Sequence, residues 1–131
     1  MDKIIYVIDK MFPEQGRKII IPQCPGCGGS HYVNVEFPNS WGACWKFDGN
    51  CENPTLKPSV NESSEYMKVD EEHEIPYTRC HFVLTNGVME FCGDCTHDKA
   101  GQNNLPLPDL NGSKVIFDID FYESAYEVLN P

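Results

Sequence analysis

No apolar run in the chain approaches the roughly 20 residues that a bilayer-spanning helix needs. The apolar run behind Met1-Asp2-Lys3, Ile4 to Ile8, is five residues long, too short for the core of a secretory leader. Both shortages predict a soluble chain that stays in the cytoplasm. Basic residues are also scarce: ten Lys and Arg stand against twenty Asp and Glu, a formal net charge of −10. That balance excludes non-specific attraction to nucleic-acid phosphate or to an anionic membrane and predicts a partner with a basic surface. Linear catalytic signatures are missing too. There is no phosphate loop, no nucleophile elbow and no His-Glu-x-x-His. Nor does a His-x-Glu precede a Pro-Cys-x-x-Cys, as a zinc nucleobase deaminase requires. Repeats and low-complexity linkers are absent, so residues 1–131 are expected to form a single domain with one core.

Cysteine is plentiful. Seven occur, an odd number, and CxxC spacing in a chain without an export signal favours metal over disulfides. Cys24-Pro25-Gly26-Cys27-Gly28-Gly29-Ser30-His31 has the pattern of a zinc knuckle, where glycines let backbone N–H groups turn toward thiolates and both Cys converge on one ion. Further on, Asn86-Gly87 between alternating apolar runs predicts a two-residue type I′ hairpin. Its register sets Phe82 against Phe91, His81 against Cys92 and Cys80 against Gly93. Opposed residues share a face, so Cys80, Phe82, Leu84, Met89 and Phe91 form a core face. His81, Val83, Thr85, Val88, Glu90 and Cys92 form the other.

The remaining segments read as strands. Lys3–Asp9 and Arg17–Pro22 form a first hairpin around Pro13-Glu14-Gln15-Gly16. His31 opens a strand with Val33, Val35 and Phe37 on its side, and Trp41–Phe47 is the next, with Trp41 and Trp45 in the core. These aromatics and Tyr32 could instead stack on a base or sugar, but alternating strands favour core. Asn53–Val60 is extended and stiffened by Pro54 and Pro58; with Gly101-Gln102 its Pro54-Thr55 and Pro58-Ser59 pairs either rim a pocket or set turns. Asn61–Pro76 is a solvated loop around an extended Tyr66–Val69. Lys114–Phe121 alternates as a strand, and Tyr122–Leu129 is a short helix or a continuation of the sheet. The predicted fold class is therefore mainly β, a single antiparallel domain with little helix, organised around the knuckle and the hairpin.

Zinc takes about four thiolate or imidazole ligands, commonly as two short-range pairs. Cys24 and Cys27 supply one pair. The second is Cys92 with Cys95, Cys80 with Cys95, or Cys95 with His97, because the hairpin register turns Cys92 away from the core row. The alternative for all of them is buried, inert thiols.

The blocks Cys-Pro-Gly-Cys-Gly-x-x-His at 24–31, Trp-x-Phe-Asp-Gly at 45–49, Pro-Thr-x-x-Pro-Ser at 54–59, Cys-His at 80–81 and Asp-Cys-Thr-His-x-x-Ala-Gly-Gln at 94–102 resemble a family of small phage and prophage proteins of unknown function. Many of its members carry the label ammonia monooxygenase, which has no weight for a chain without spanning segments. The resemblance covers Cys24 to about Leu107 and implies a phage-associated, metal-binding protein. It sorts the thiols: Cys24, Cys27, Cys80 and Cys95 fall in motif blocks and become the expected zinc ligands, with His97 as substitute for Cys80, while Cys44, Cys51 and Cys92 are left free. His31, His81, Asp94 and His97 then remain. They either activate water at a second, open metal or act as general acid and base, or they orient the zinc ligands from outside. The expected function is a zinc-binding factor that meets a host or phage protein, with counter-defence among the roles it would serve. The alternative is a metal-dependent hydrolase using His31, His81, Asp94 and His97.

Overall fold

The computed structural model describes residues 2–110 and 124–131. Its first sheet grows from the isoleucine-rich start of the chain. Ile5–Asp9 (β1) and Arg17–Ile21 (β2) pair antiparallel on either side of a 3-10 turn at Pro13–Gln15, the hairpin expected from the turn residues between them. His31–Asn34 (β3) pairs with β2, setting His31 opposite Ile21, and Tyr126–Val128 (β11) pairs with β1, giving the order β11-β1-β2-β3. Alternation splits the aliphatics between two faces. Ile4, Tyr6, Ile19, Ile21 and Val33 enter the main core, and Ile5, Val7 and Ile20 form a second cluster with Leu110 and Tyr126.

The second sheet is built on the Asn-Gly hairpin. Thr78–Thr85 (β8) and Val88–Phe91 (β9) pair with Thr85 opposite Val88 and Phe82 opposite Phe91. Asn86 and Gly87 take φ of 50° and 78°, the left-handed pair that a type I′ turn demands. Cys80, Phe82, Leu84, Met89 and Phe91 are all buried, so the core face is the one predicted. Lys46–Phe47 (β4), Leu56–Ser64 (β5) and Leu105–Pro106 (β10) complete the order β10-β9-β8-β5-β4. An exposed ribbon of Met67–Lys68 (β6) and Glu74–Ile75 (β7) follows β5. Phe82, Leu84, Met89, Phe91, Leu56 and Val60 share one cluster with the inner face of the first sheet. The architecture is thus two antiparallel sheets packed face to face, mainly β as expected. Each such side chain, fully buried, contributes about 1.5–3 kcal/mol.

Three segments depart from the sequence reading. The strand expected over Trp41–Phe47 shrinks to β4, and Trp41 is 88% exposed rather than core. The cause is Asn39, whose side-chain oxygen accepts from Trp41 N and Ala43 N and folds 39–43 into a turn with Gly42 at φ 82°. Trp45 does pack against the core. β3 ends at Asn34, whose amide donates to Phe37 O, and Phe37 is 49% exposed. The stretch read as a loop from Asn61 starts as strand, because β5 runs to Ser64 against β8. The strand expected at Lys114–Phe121 lies outside the described residues, and β11 extends the sheet within Tyr122–Leu129.

β5 is irregular where it matters for the site. Leu56 faces Leu84 and Val60 faces Phe82, so Lys57, Pro58 and Ser59 together oppose the single residue Val83. The Lys57–Pro58 peptide is cis. Such a bulge re-aims the side chains it carries.

Candidate metal centre and active site

The knuckle forms locally. Gly28 N donates to Cys24 O and Cys24 N to Gly29 O, which closes a tight turn with Gly28 at φ 76°. Gly26 is required for a different reason: a Cβ there would lie 2.5 Å from Phe91 Cζ and 2.7 Å from His97 Cε1. The turn delivers Cys24 to the buried Cys80 of β8, Sγ to Sγ 3.8 Å, and Cys27 to His31 of β3, Sγ to Nε2 3.4 Å. The ligand atoms of Cys24, Cys27, His31 and Cys80 lie within 4.8 Å of one another, and this group could hold a metal ion.

The imidazole is set up as a ligand. His31 Nδ1 bonds Glu62 Oε2, and an ionised carboxylate can only accept, so Nδ1 carries a proton and Nε2 is the nitrogen turned toward the thiols. A carboxylate behind a ligating histidine is the usual orienting device. The four groups perturb one another strongly. The Cys27 thiol is driven far below its ordinary range, first by Cys24 and then by Cys80. The Cys80 thiol is pushed up, first by Cys24 and then by Cys27 and burial. Burial would lower His31, but Cys24, Cys27 and Glu62 push it up to about 11. A buried imidazolium against a thiolate is an arrangement that a divalent cation can replace, releasing the protons.

A second constellation lies on the opposite face of β8. Ser59, at the β5 bulge, has its Oγ 3.2 Å from His81 Nε2, and His81 Nδ1 is 3.1 Å from Asp94 Oδ1 and 3.2 Å from Oδ2. The Arg79 guanidinium donates to Asp94 Oδ2 at 2.9 Å and, with His81, holds that carboxyl below the usual carboxylate range. Asp94 is therefore an anion that accepts from Nδ1–H, which leaves Nε2 as the acceptor for the Ser59 hydroxyl. Backbone contacts fix all three. Trp45 Nε1 donates to Ser59 O at 3.1 Å, Cys92 N donates to His81 O at 2.9 Å, and His81 N donates to Cys95 Sγ at 3.2 Å. Thr96 N and Oγ1 bond the backbone of Arg79, tying the turn that carries Asp94 to β8.

Of the expected ligands, Cys24, Cys27 and Cys80 converge, and the fourth member of their group is His31 rather than Cys95. Cys95 lies past the hairpin, where the chain turns back onto the backbone of His81, and its thiol bonds there instead. The four residues set aside for hydrolysis also part company. His81 and Asp94 meet, His31 belongs to the thiols, and His97 stacks edge-on against Phe91 at 4.8 Å. His97 Nδ1 accepts from Lys99 N, and its buried Nε2 has no partner among the described residues. Cys44 is exposed and Cys51 half-buried. Ser59 was foreseen only as a residue of a pocket rim or a turn, and Glu62 only as part of a solvated loop. Ser59 carries no elbow motif, and its only sequence signal is Pro-Thr-x-x-Pro-Ser.

Residues 2–92 match the family model described as BubE, bacterial ubiquitination-like system serine protease. The chain belongs to this family. The BubE match takes in the knuckle, Ser59 and His81 and stops just short of Asp94. No curated protein and no solved structure matches the chain. No helix among the described residues is long and apolar enough to cross a membrane.

Proposed function

We propose that the protein is a serine-type peptidase in which Ser59 is the nucleophile, His81 the general base and Asp94 the group that orients His81. The carrying observation is the relay from Ser59 Oγ through His81 Nε2 and Nδ1 to Asp94, at 3.2 and 3.1 Å. Ser59 Oγ attacks the scissile carbonyl as its proton passes to Nε2. The imidazolium, stabilised by Asp94, then returns that proton to the leaving amine, and water repeats the sequence on the acyl-enzyme. The BubE family's description as a serine protease supports the same chemistry.

The metal, in the same proposal, is zinc. Three thiols and one imidazole are a closed, tetrahedral donor set typical of structural zinc, with no position left for water. Hydrolysis through that ion is accordingly set behind hydrolysis through Ser59. The binding role foreseen from the acidic charge drew on the lack of a catalytic signature, and the relay supplies one that no linear motif carries. Reduced thiols and a soft metal fit a reducing compartment such as the cytoplasm.

The test is labelling by a fluorophosphonate, read by peptide mass, alongside turnover of a peptide library. Modification at Ser59, lost with Ser59→Ala and with His81→Ala in folded protein, is the expected result. Turnover that survives Ser59→Ala would sink the proposal.

A further inference from the structure

We propose that His81, Cys92 and Asp94 form a second, inhibitory site for a soft divalent cation such as Zn²⁺ or Cd²⁺, competing with the relay for the same imidazole. One ligand atom from each lies within 4.8 Å of the others, a grouping separate from the knuckle. The register that sets His81 against Cys92 is fixed by the Cys92 N to His81 O bond at 2.9 Å, so the thiol has a defined position beside the imidazole. Arg79 engages Asp94 Oδ2, and Oδ1, which accepts from His81 Nδ1 at 3.1 Å, is released to an ion once Nδ1 gives up its proton. In a tetrahedral site, ligand atoms stand about 3.5 Å apart. His81 Nδ1 and Asp94 Oδ1 already stand 3.1 Å apart, so any closing to that spacing falls to Cys92, which is only partly buried.

The donor types select the ion. Thiolate with imidazole favours Zn²⁺ or Cd²⁺ over Mg²⁺ or Ca²⁺, and three protein ligands leave a fourth position for water. On binding, the Cys92 thiol loses its proton to solvent, and the imidazole changes tautomer, its proton passing through solvent from Nδ1 to Nε2, so that the Nδ1 lone pair serves the metal. The imidazole then no longer donates to Asp94. Its Nε2, now carrying the hydrogen, has no lone pair to accept the proton that Ser59 must give up. A cation at this site therefore stops proton transfer without touching Ser59.

The inhibitory consequence rests on the Ser59 relay being catalytic; the ion site does not, and two separate readouts keep them apart. Protein carrying one ion per chain is titrated with Cd²⁺, following the sulfur-to-metal charge-transfer band, and Zn²⁺ inhibition of peptide turnover is measured relative to each variant's own uninhibited rate. Wild type is expected to take a second ion, with turnover falling in step. Cys92→Ser, with Cys92→Ala as a second variant, is expected to weaken that ion and raise the half-inhibitory Zn²⁺ concentration by about tenfold or more, while Cys44→Ser changes neither. Equal second-ion affinity in wild type and both Cys92 variants would overturn the site. A second ion that depends on Cys92 but leaves turnover unchanged would uphold the site and overturn the role of His81 as base.

Discussion

Asp94 is a carboxylate with 43% of its side chain exposed, and it serves two basic groups at once, Arg79 as a fixed charge and His81, which in the proposed relay becomes charged during turnover. Asp94→Asn keeps the shape but permits the wrong imidazole tautomer. The expected loss is about 10²–10⁴ in kcat with little change in KM, measured by steady-state kinetics. Cys51 makes a separate residue-scale case. Burial first, then Asp2 and Asp48, push its thiol up to about 11. The thiolate is the reacting form, so alkylation of Cys51 at pH 8 should be slow and rise about tenfold per pH unit toward pH 11, by peptide mass. A flat profile would refute it. At this scale the site was half legible. His81 and Asp94 stood out because Cys-His and Asp-Cys-Thr-His concentrate titratable groups on either side of a hairpin whose register is readable. Ser59 did not, because its direction comes from three β5 residues facing one of β8, and alternation carries no mark of a bulge. The exchange of Cys95 for His31 has a similar origin. Hairpin register places Cys80 but says nothing of where the turn after Phe91 returns.

The Asn-Gly hairpin is the element whose sequence reading and structure agree residue for residue, since two left-handed residues leave no freedom in register. Gly87→Ala puts a Cβ at φ 78° and 3.3 Å from Asn53 Cα. It should cost about 1–2 kcal/mol, seen as a lower urea midpoint at unchanged slope; no shift would mean that the turn relaxes freely. The Trp41 segment was illegible for the opposite reason. Its aromatics advertise a strand, but Asn39 diverts the backbone into a turn through side-chain oxygen bonds that no periodicity reports. The turn over 92–96 gives the sharper prediction. Cys95 touches His81's backbone and stands outside the metal group. Cys95→Ser should therefore keep one metal per chain while lowering turnover, whereas Cys24→Ser should lose the metal. Elemental analysis with activity on the same samples decides it, and loss of metal from Cys95→Ser would restore Cys95 as a ligand.

Across the whole molecule, the four ligand groups come from both sheets: Cys24 follows β2, His31 opens β3, and Cys80 lies on β8. Cys24 and Cys80 belong to the core cluster shared by the sheets, so an ion among them is a cross-link through the core. Its removal takes away that cross-link and leaves its donor groups to one another, and apparent stability should fall with free metal concentration as binding linkage requires. Glu62→Gln, which weakens the hold on His31 Nδ1, should lower metal affinity about 10–100-fold by competition with a chelating dye. On the proposed mechanism the same cross-link governs the reaction although it touches none of the reacting atoms, because Cys80 and His81 are adjacent on β8 and face opposite ways. Chelated protein should therefore lose both melting temperature and turnover. Zinc added back should restore both over the first equivalent and, through His81, Cys92 and Asp94, depress turnover alone beyond it. A titration in which turnover rises and then falls while the melting temperature rises and holds is the expected outcome. Turnover that stays constant while the melting temperature moves would separate the metal from the active site.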